Sequence, residues 1–501
     1  MIFTIAGCNA ENNDIDIIAN QLQIIDVIDS SDLEEVETVV VEERPVVYNQ
    51  YTVNLDVDVI NRKVSGVQNV NFTNSTDSTL DEIYFNIHLN AFREDAPYTP
   101  YFQTFENKIF KNGIDYSQFE VINVFRDNIS TSFLLEDTHL KVKLEEPLEK
   151  DKSTEITLQF EAYIPKINHR TGANDNALWF GNFLPTLAVY NDGWKLTPYF
   201  QAGDPYYSEI ANYIVNISVP EGFTVVGTGT KTTNTSENTT TSSFNASLVR
   251  DFAFAISNNY KKTTYTSDLG ININMYYYSE LDSVFTALNT AMKSLEYFNE
   301  RLGKYPYSEL DIVEVGLFFN SGMEYPQMIF MDSDYLKENA YFNTLVHEVG
   351  HQWIYNIIGN DQIHDAWLDE GFTKFLEEGL YYDSESLHTK MLNDYNITAE
   401  NLKRYEKNGL NHSLEHYSSW TQYYNVQYSR AKLMFYSLNL KMGSENFDDF
   451  LKEYYKKYSY KIVTREQFIN EVETFYGESL TEFFDAWFSD GEMPPLHDRH
   501  L

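Results

Sequence analysis

The chain has 501 residues, enough for two or three domains, and 43% of them are hydrophobic, ample for a folded core. Its 36 Lys and Arg against 75 Asp and Glu give a formal net charge of -39, which argues against nucleic acid or anionic lipid as partners and favours a substrate with a cationic end. A single cysteine excludes any disulfide within the chain.

That cysteine, Cys8, closes the run Ile5-Ala6-Gly7-Cys8 in MIFTIAGCNAENN. The run resembles the lipobox of bacterial lipoproteins, although only seven residues precede the cysteine and none is Lys or Arg. The expectation is a lipid anchor at Cys8 holding the protein outside a bacterial membrane; the alternative is a cytoplasmic chain with an incidental cysteine. No other stretch has the length and apolarity of a membrane span, so membrane contact is expected only through that lipid. Residues 9–43 carry eleven acidic side chains and no basic one, and they read as a tether, so 1–45 form a signal remnant and acidic linker.

From Tyr48 the period becomes two. Tyr51, Val53, Leu55, Val57 and Val59 alternate with polar residues, as do Leu140, Val142 and Leu144, then Ile156, Leu158 and Phe160; these predict half-buried strands. YIVNISVP and FTVVGTGT add two more, and the Ser/Thr/Asn-rich residues 231–247 read as a long polar hairpin connection. The aromatic run of residues 177–194 reads as core more readily than as a substrate wall. Residues 46–262 are therefore expected to form a β-rich domain. Beyond it, Val284, Leu288, Ala291, Leu295, Phe298 and Leu302 recur at helical spacing after an Asp282-Ser283 cap, DIVEVGLFF and MEYPQMIFM read as strands, and from 384 the chain is mostly helical, with a capping box at Thr464 and Gln467. Residues 263–501 thus make an α+β domain with a helical C-terminal part.

The chemistry concentrates in LVHEVGHQWIYNIIGNDQIHDAWLDEGFTKFLE, residues 345–377. His347 and His351 are four apart, so a helix sends both imidazoles from one face, one turn apart, close enough to share an ion. Glu348 is offset by roughly a quarter turn, a general-base position beside a metal-activated water. The third ligand is read as Glu370, separated from His351 by the eighteen residues 352–369, on a second helix reached once the first has stopped at Gly359-Asn360. Glu377, two turns on, lies on Glu370's face and can fix the tautomer of a ligand imidazole. Two imidazoles and one carboxylate with an open fourth position favour a single zinc ion over calcium or magnesium. A competing HxxEH arrangement, His412, Glu415 and His416, sits in a polar stretch broken by Gly and Asn and reads as a loop.

HEVGH, eighteen residues, then Glu within WLDEGF resembles the zinc aminopeptidases of the M1 family, gluzincins that include relatives of aminopeptidase N and leukotriene A-4 hydrolase. NSGMEYPQMIF resembles that family's exopeptidase motif, with Gly322, Met323 and Glu324 in place and Tyr325 where the pattern has Asn; YSRAKLMFYSL resembles the segment carrying its transition-state tyrosine, here Tyr428, with Tyr423 or Tyr424 as substitutes. The resemblance runs from about Val46 to Leu496 and implies a saddle-like β domain followed by a thermolysin-like catalytic domain, in a short form without the further domains of longer relatives. It implies an aminopeptidase acting on peptides with a free N-terminus, with Glu324 binding the α-ammonium and Tyr428 the tetrahedral oxyanion. A zinc endopeptidase on the same site, or a non-catalytic peptide-binding protein of the same fold, are the alternatives.

Overall fold

The computed structural model describes residues 47–318, 321–338 and 341–497. Cys8 and the acidic tether, on which the anchor reading rests, lie outside the described residues, as does Asn320 of the exopeptidase-like segment.

The period-two stretches form an eight-stranded sheet in the order Thr230–Ser236, Thr239–Val249, Ala211–Pro220, Asn49–Asp58, Lys63–Thr73, Ser153–Tyr163, Gln118–Arg126 and Ile129–Ser130. Asn49–Asp58 runs parallel to Ala211–Pro220, setting Val53 opposite Val215 and Leu55 opposite Ile217, so the apolar face stays in register across strands far apart in sequence. Two four-stranded sheets pack against that face. The aromatic run contributes core, not a substrate wall: Phe180, Phe183, Phe160 and Phe254 are buried and meet ring to ring, Phe180 stacking on Phe254 at 4.1 Å. Each such ring contributes about 1.5–3 kcal/mol by leaving water. The Ser/Thr/Asn-rich stretch corrects its sequence reading. It is not a connection but the hairpin itself, Thr230–Ser236 paired with Thr239–Val249, because alternate Thr240, Ser242, Phe244 and Ala246 turn inward while β-branched threonines suit the pleat.

A second core begins with a five-stranded sheet ordered Lys261–Thr266, Asn272–Tyr277, Glu309–Val315, Met328–Asp332 and Gly322–Met323. The helix Val284–Arg301 links the parallel pair Asn272–Tyr277 and Glu309–Val315 and buries its apolar stripe from Val284 to Phe298. Met328–Asp332 continues the sheet in parallel, and the short strand Gly322–Met323 adds an antiparallel edge. Helices Phe342–Gly350, Glu370–Tyr381, Ser384–Leu402, Ala431–Met442, Ser444–Tyr458, Arg465–Tyr476 and Thr481–Phe488 complete this half, the Thr464–Gln467 capping box being formed in full. Among the described residues no helix is long and apolar enough to cross a membrane.

The first metal-site helix also corrects its reading. It ends at Gly350, with His351 as its cap residue, instead of running on to Gly359-Asn360. The segment after it is recruited elsewhere: the Gln352 amide bonds the backbone of Tyr325 and Gln327, and the Asn356 amide bonds the carbonyl of Glu324. These turns tie the helix end to the edge strand. One buried arginine then joins the β-rich part to this region, since the Arg250 guanidinium donates to the carbonyls of Tyr355 at 2.8 Å, Lys461 at 3.2 Å and Ser208.

Candidate active site

His347 and His351 leave one side of the helix end, and Glu370 opens the helix facing it, its N-terminus capped by the Asp369 side chain. His347 Nε2 lies 3.0 Å from Glu370 Oε2 and 3.0 Å from His351 Nε2, and His351 Nε2 lies 3.3 Å from the same carboxylate oxygen. The other ring nitrogens are engaged. His347 Nδ1 donates to Glu377 Oε2 at 2.9 Å, and His351 Nδ1 to the Ile354 carbonyl at 3.3 Å. Both Nε2 atoms therefore converge with a carboxylate oxygen at about 3 Å, a point that a proton or a metal cation must occupy. Tetrahedral ligands about 2.0–2.1 Å from a zinc ion stand roughly 3.4 Å apart, so the three residues fit one Zn2+. Among the described residues this is the sole such ligand group.

Electrostatics agree with that donor set. Burial pulls both imidazoles down, but the carboxylates of Glu370 and, for His347, Glu377 more than offset it and leave each at about 9. Burial pushes Glu370 up, yet the two imidazoles overcome it and hold the carboxylate well below its ordinary range. Lys374, one turn after Glu370, donates to the other oxygen of Glu377. The chain Lys374 to Glu377 to His347 thus fixes the imidazole with Nε2 toward the ligand point.

Glu348 is buried at the same cleft, where burial first and the neighbouring Glu324 carboxylate second push its carboxyl well above the ordinary value. Gly322 makes room for it. A Cβ at Gly322 would stand 2.5 Å from Glu348 Cγ and 2.8 Å from Cδ, so only glycine lets the edge strand lie against the carboxylate. Met323 and Glu324 follow Gly322 along the wall of the cleft. Tyr325, the departure from the expected motif, does not face it: its ring turns behind the strand, its hydroxyl donates to Asn182 Oδ1 at 2.8 Å, and Gly181 admits the ring where a Cβ would meet the hydroxyl at 2.0 Å.

Tyr428 is carried by a π-helical segment, Tyr424–Arg430, which leads directly into Ala431–Met442. Its half-buried ring lies 5.8 Å from that of His347, and burial followed by the Glu370 carboxylate pushes its hydroxyl well above the ordinary tyrosine value, keeping it a donor. The two substitutes are placed differently. Tyr423 is buried against Gly203 and Leu414 and does not line the cleft, whereas Tyr424 is 40% exposed at the rim and stacks on Tyr428 at 4.9 Å. The HxxEH residues do not converge: His412 pairs with Asp490 at 2.8 Å, His416 Nδ1 meets Ser413 at 3.0 Å, and the Glu415 carboxylate is largely exposed.

Two residues of the opposite wall were missed from sequence. Asp204 and Arg170, from the β-rich part, line the cleft and pair at 2.6 Å. Burial raises the Asp204 carboxyl to about 7; Arg170 opposes, while Glu324 and Glu370 add to the rise. Asp204 and Glu324 thus line the same cleft. No local signal marks either residue, because 34 positions separate them and neither sits in a motif. The whole cleft encloses about 360 Å³.

Residues 286–487 match the sequence profile described as the Peptidase family M1 domain. Over 222 residues the chain is 25% identical to leukotriene A-4 hydrolase of Xenopus laevis, covering 42% of this chain and 36% of the relative. Over 198 residues it is 26% identical to leucine aminopeptidase 2 of Candida albicans, covering 34% of this chain and 32% of the relative. The matched stretches span about a third of those relatives' lengths. In three dimensions the chain is similar to the M1 zinc metallopeptidase of Deinococcus radiodurans, with TM-score 0.68 at 16% identity over 90% of this chain and 96% of that one. A variant of that Deinococcus protein, with TM-score 0.67 and the same identity and coverage, was solved bound to a Tyr-Ser-Ala substrate. Residues 286–487, which hold the His-His-Glu triad, thus match the Peptidase family M1 domain, and the chain shares the fold of an M1 zinc metallopeptidase.

Proposed function

We propose that the chain is a zinc-dependent aminopeptidase that removes the N-terminal residue of peptides. The observation that carries this reading is the placement of Glu324, directly after the edge strand Gly322–Met323, in the same cleft as Glu348, the ligand triad and Asp204. Two acidic groups on opposite walls make a seat for an α-ammonium, and a seat beside the metal site sets the first peptide bond over it. The tripeptide held by the Deinococcus relative supports a peptide as the substrate class.

When bound at His347, His351 and Glu370, zinc supplies Lewis-acid polarisation of the carbonyl and acidifies the attacking water. Glu348 takes the proton from that water and returns it to the leaving amine. Tyr428, kept protonated, donates its hydroxyl to the carbonyl oxygen as charge develops there. Glu324 and Asp204 hold the ammonium in place, and the edge strand that leads into Glu324 offers its backbone to an extended peptide.

The test is hydrolysis of paired peptides, one with a free N-terminus and one acetylated, by protein of known metal content with a chelator control. Cleavage of the free peptide alone, lost on chelation, is the expected result. Equal cleavage of both would make the protein an endopeptidase, and inertness of metal-loaded protein toward every peptide would make it a binding protein. The same preparation with Glu348→Gln should lose about 10²–10⁴-fold in kcat/KM while keeping its metal.

We also propose, from Ile5-Ala6-Gly7-Cys8 alone, that Cys8 carries a lipid that holds the protein outside a bacterial membrane. Incorporation of a labelled fatty acid that persists in Cys8→Ser would overturn this.

A further inference from the structure

Glu324 follows a strand of only two residues, so its carboxylate must be set by something outside that strand. Among the described residues one side chain does this. The Gln362 amide nitrogen donates to Glu324 Oε1 at 3.4 Å, the one hydrogen bond made to either carboxylate oxygen. Gln362 is 1% exposed and is not part of the cleft wall, so a bound peptide does not touch it. Asn356 already holds the carbonyl of Glu324. The turns after the metal-site helix thus grip this residue by its backbone and by its side chain.

Gln362 is itself fixed. Asp361 Oδ1 accepts from the backbone N–H of Ile363 at 3.0 Å and of His364 at 3.2 Å, which closes a turn around Gln362, and the Ile363 carbonyl accepts from the N–H of Leu414 at 2.9 Å. The other end of the amide, Gln362 Oε1, is buried with no partner. An unpaired buried acceptor is unfavourable, so an apolar side chain of the same shape would pack better here, and packing alone does not account for the glutamine. The same amide borders the metal site. Burial and then Glu370 push the Asp369 carboxyl well above its ordinary value, while His351 and Gln362 pull it back, and Asp369 Oδ1 accepts from the N–H of the ligand Glu370 at 2.8 Å.

We infer that Gln362 is a positioning residue, which holds the Glu324 carboxylate in the orientation that receives the α-ammonium of the substrate. The inference rests on the aminopeptidase reading. A hydrogen bond to a charged carboxylate is a strong one, and with Oε1 tied to Gln362 the group is set before a peptide arrives. Little side-chain freedom is then lost when Oε2 takes the ammonium. Without the amide the carboxylate turns among its rotamers, and only part of that population meets the ammonium. A ligand that carries the amine binds less well as a result, and a ligand that lacks it does not.

The experiment is equilibrium binding of two inhibitors to zinc-loaded protein: leucine hydroxamate, which carries an α-ammonium, and 4-methylpentanoyl hydroxamate, the same molecule with hydrogen in its place. The metal-binding group and the side chain are shared, so the ratio of the two affinities reads the ammonium seat alone. Gln362→Met keeps the shape and removes the donor. It should lower the parent's preference for the amine about tenfold and leave the Kd of the des-amino ligand unchanged. In a Glu324→Ala background the same substitution should lower the preference no further, since Gln362 acts through that carboxylate. Gln362→Asn, whose amide falls one methylene short of Glu324, repeats the test with a polar side chain should the first variant fold poorly, and the same fall is expected. An unchanged ratio would overturn the inference, and so would an equal loss of both ligands in both variants, which would make Gln362 structural. A parent that binds the two ligands alike would refute the ammonium seat itself and leave Gln362 nothing to position.

Discussion

Asp311 is buried in the strand Glu309–Val315, where Asn274 donates to it at 2.7 Å. Burial pushes its carboxyl up to about 7; Asn274 pulls it down, Glu309 adds to the rise, and Lys262 and Lys231 oppose it. Unfolded, the group titrates near 3.9. Its contribution to stability is therefore complete below about pH 4 and is lost as the pH rises through about 7, because the unfolded chain gives up the proton first. Asp311→Asn, neutral throughout, should melt above the parent at about pH 8, and thermal scans should show the gap closing toward pH 4; a gap that ignores pH would refute the assignment. Glu377 acts differently, since it holds His347 in the tautomer that leaves Nε2 free. Glu377→Gln should weaken zinc binding by roughly 10–100-fold in competition with a chelator, and unchanged affinity would show the contact to be incidental. The ligand residues were legible because a one-turn spacing is a local fact of sequence. Asp204 and Arg170 were not, because they enter the site through the pairing of distant strands.

At the scale of elements, the edge strand and the first metal-site helix are built to touch. Gly322→Ala places a methyl 2.5 Å from Glu348 Cγ, which moves the base and leaves the three ligands alone. The expected outcome is a fall in kcat of roughly 10²-fold at unchanged metal content, and an unaffected kcat would mean that the carboxylate is free to move. Alternation and helical period marked most elements correctly. They failed where side chains serve a neighbour instead of their own element: Gln352 and Asn356 end the helix early because their amides bond the Glu324 strand. They also failed at the polar hairpin of Thr230–Ser236 and Thr239–Val249, where threonines paired across strands were indistinguishable from linker. The π-helical segment that carries Tyr428 has no sequence mark, since its extra residue per turn shows only in backbone hydrogen bonds.

Across the whole molecule, the order of a β-rich half and a catalytic half was readable because the dominant period changes from two to about 3.6 along the chain. The joint between them was not. It depends on Arg250, whose guanidinium meets carbonyls of Ser208, Tyr355 and Lys461, residues up to 211 positions away. Arg250→Ala leaves those carbonyls unpaired and should cost about 3 kcal/mol or more in urea unfolding, and a loss below 1 kcal/mol would show that water replaces the side chain freely.

That clamp has a consequence for traffic. It ties the backbone of Ser208, four residues past Asp204 of one wall, to Tyr355 in the turns that follow the metal-site helix of the other. A cleft of about 360 Å³ has room for a few residues of extended chain and none for a folded surface. On the aminopeptidase reading proposed above, the girth of the incoming end, ahead of its side chains, limits what can be trimmed, and folded domains stay outside.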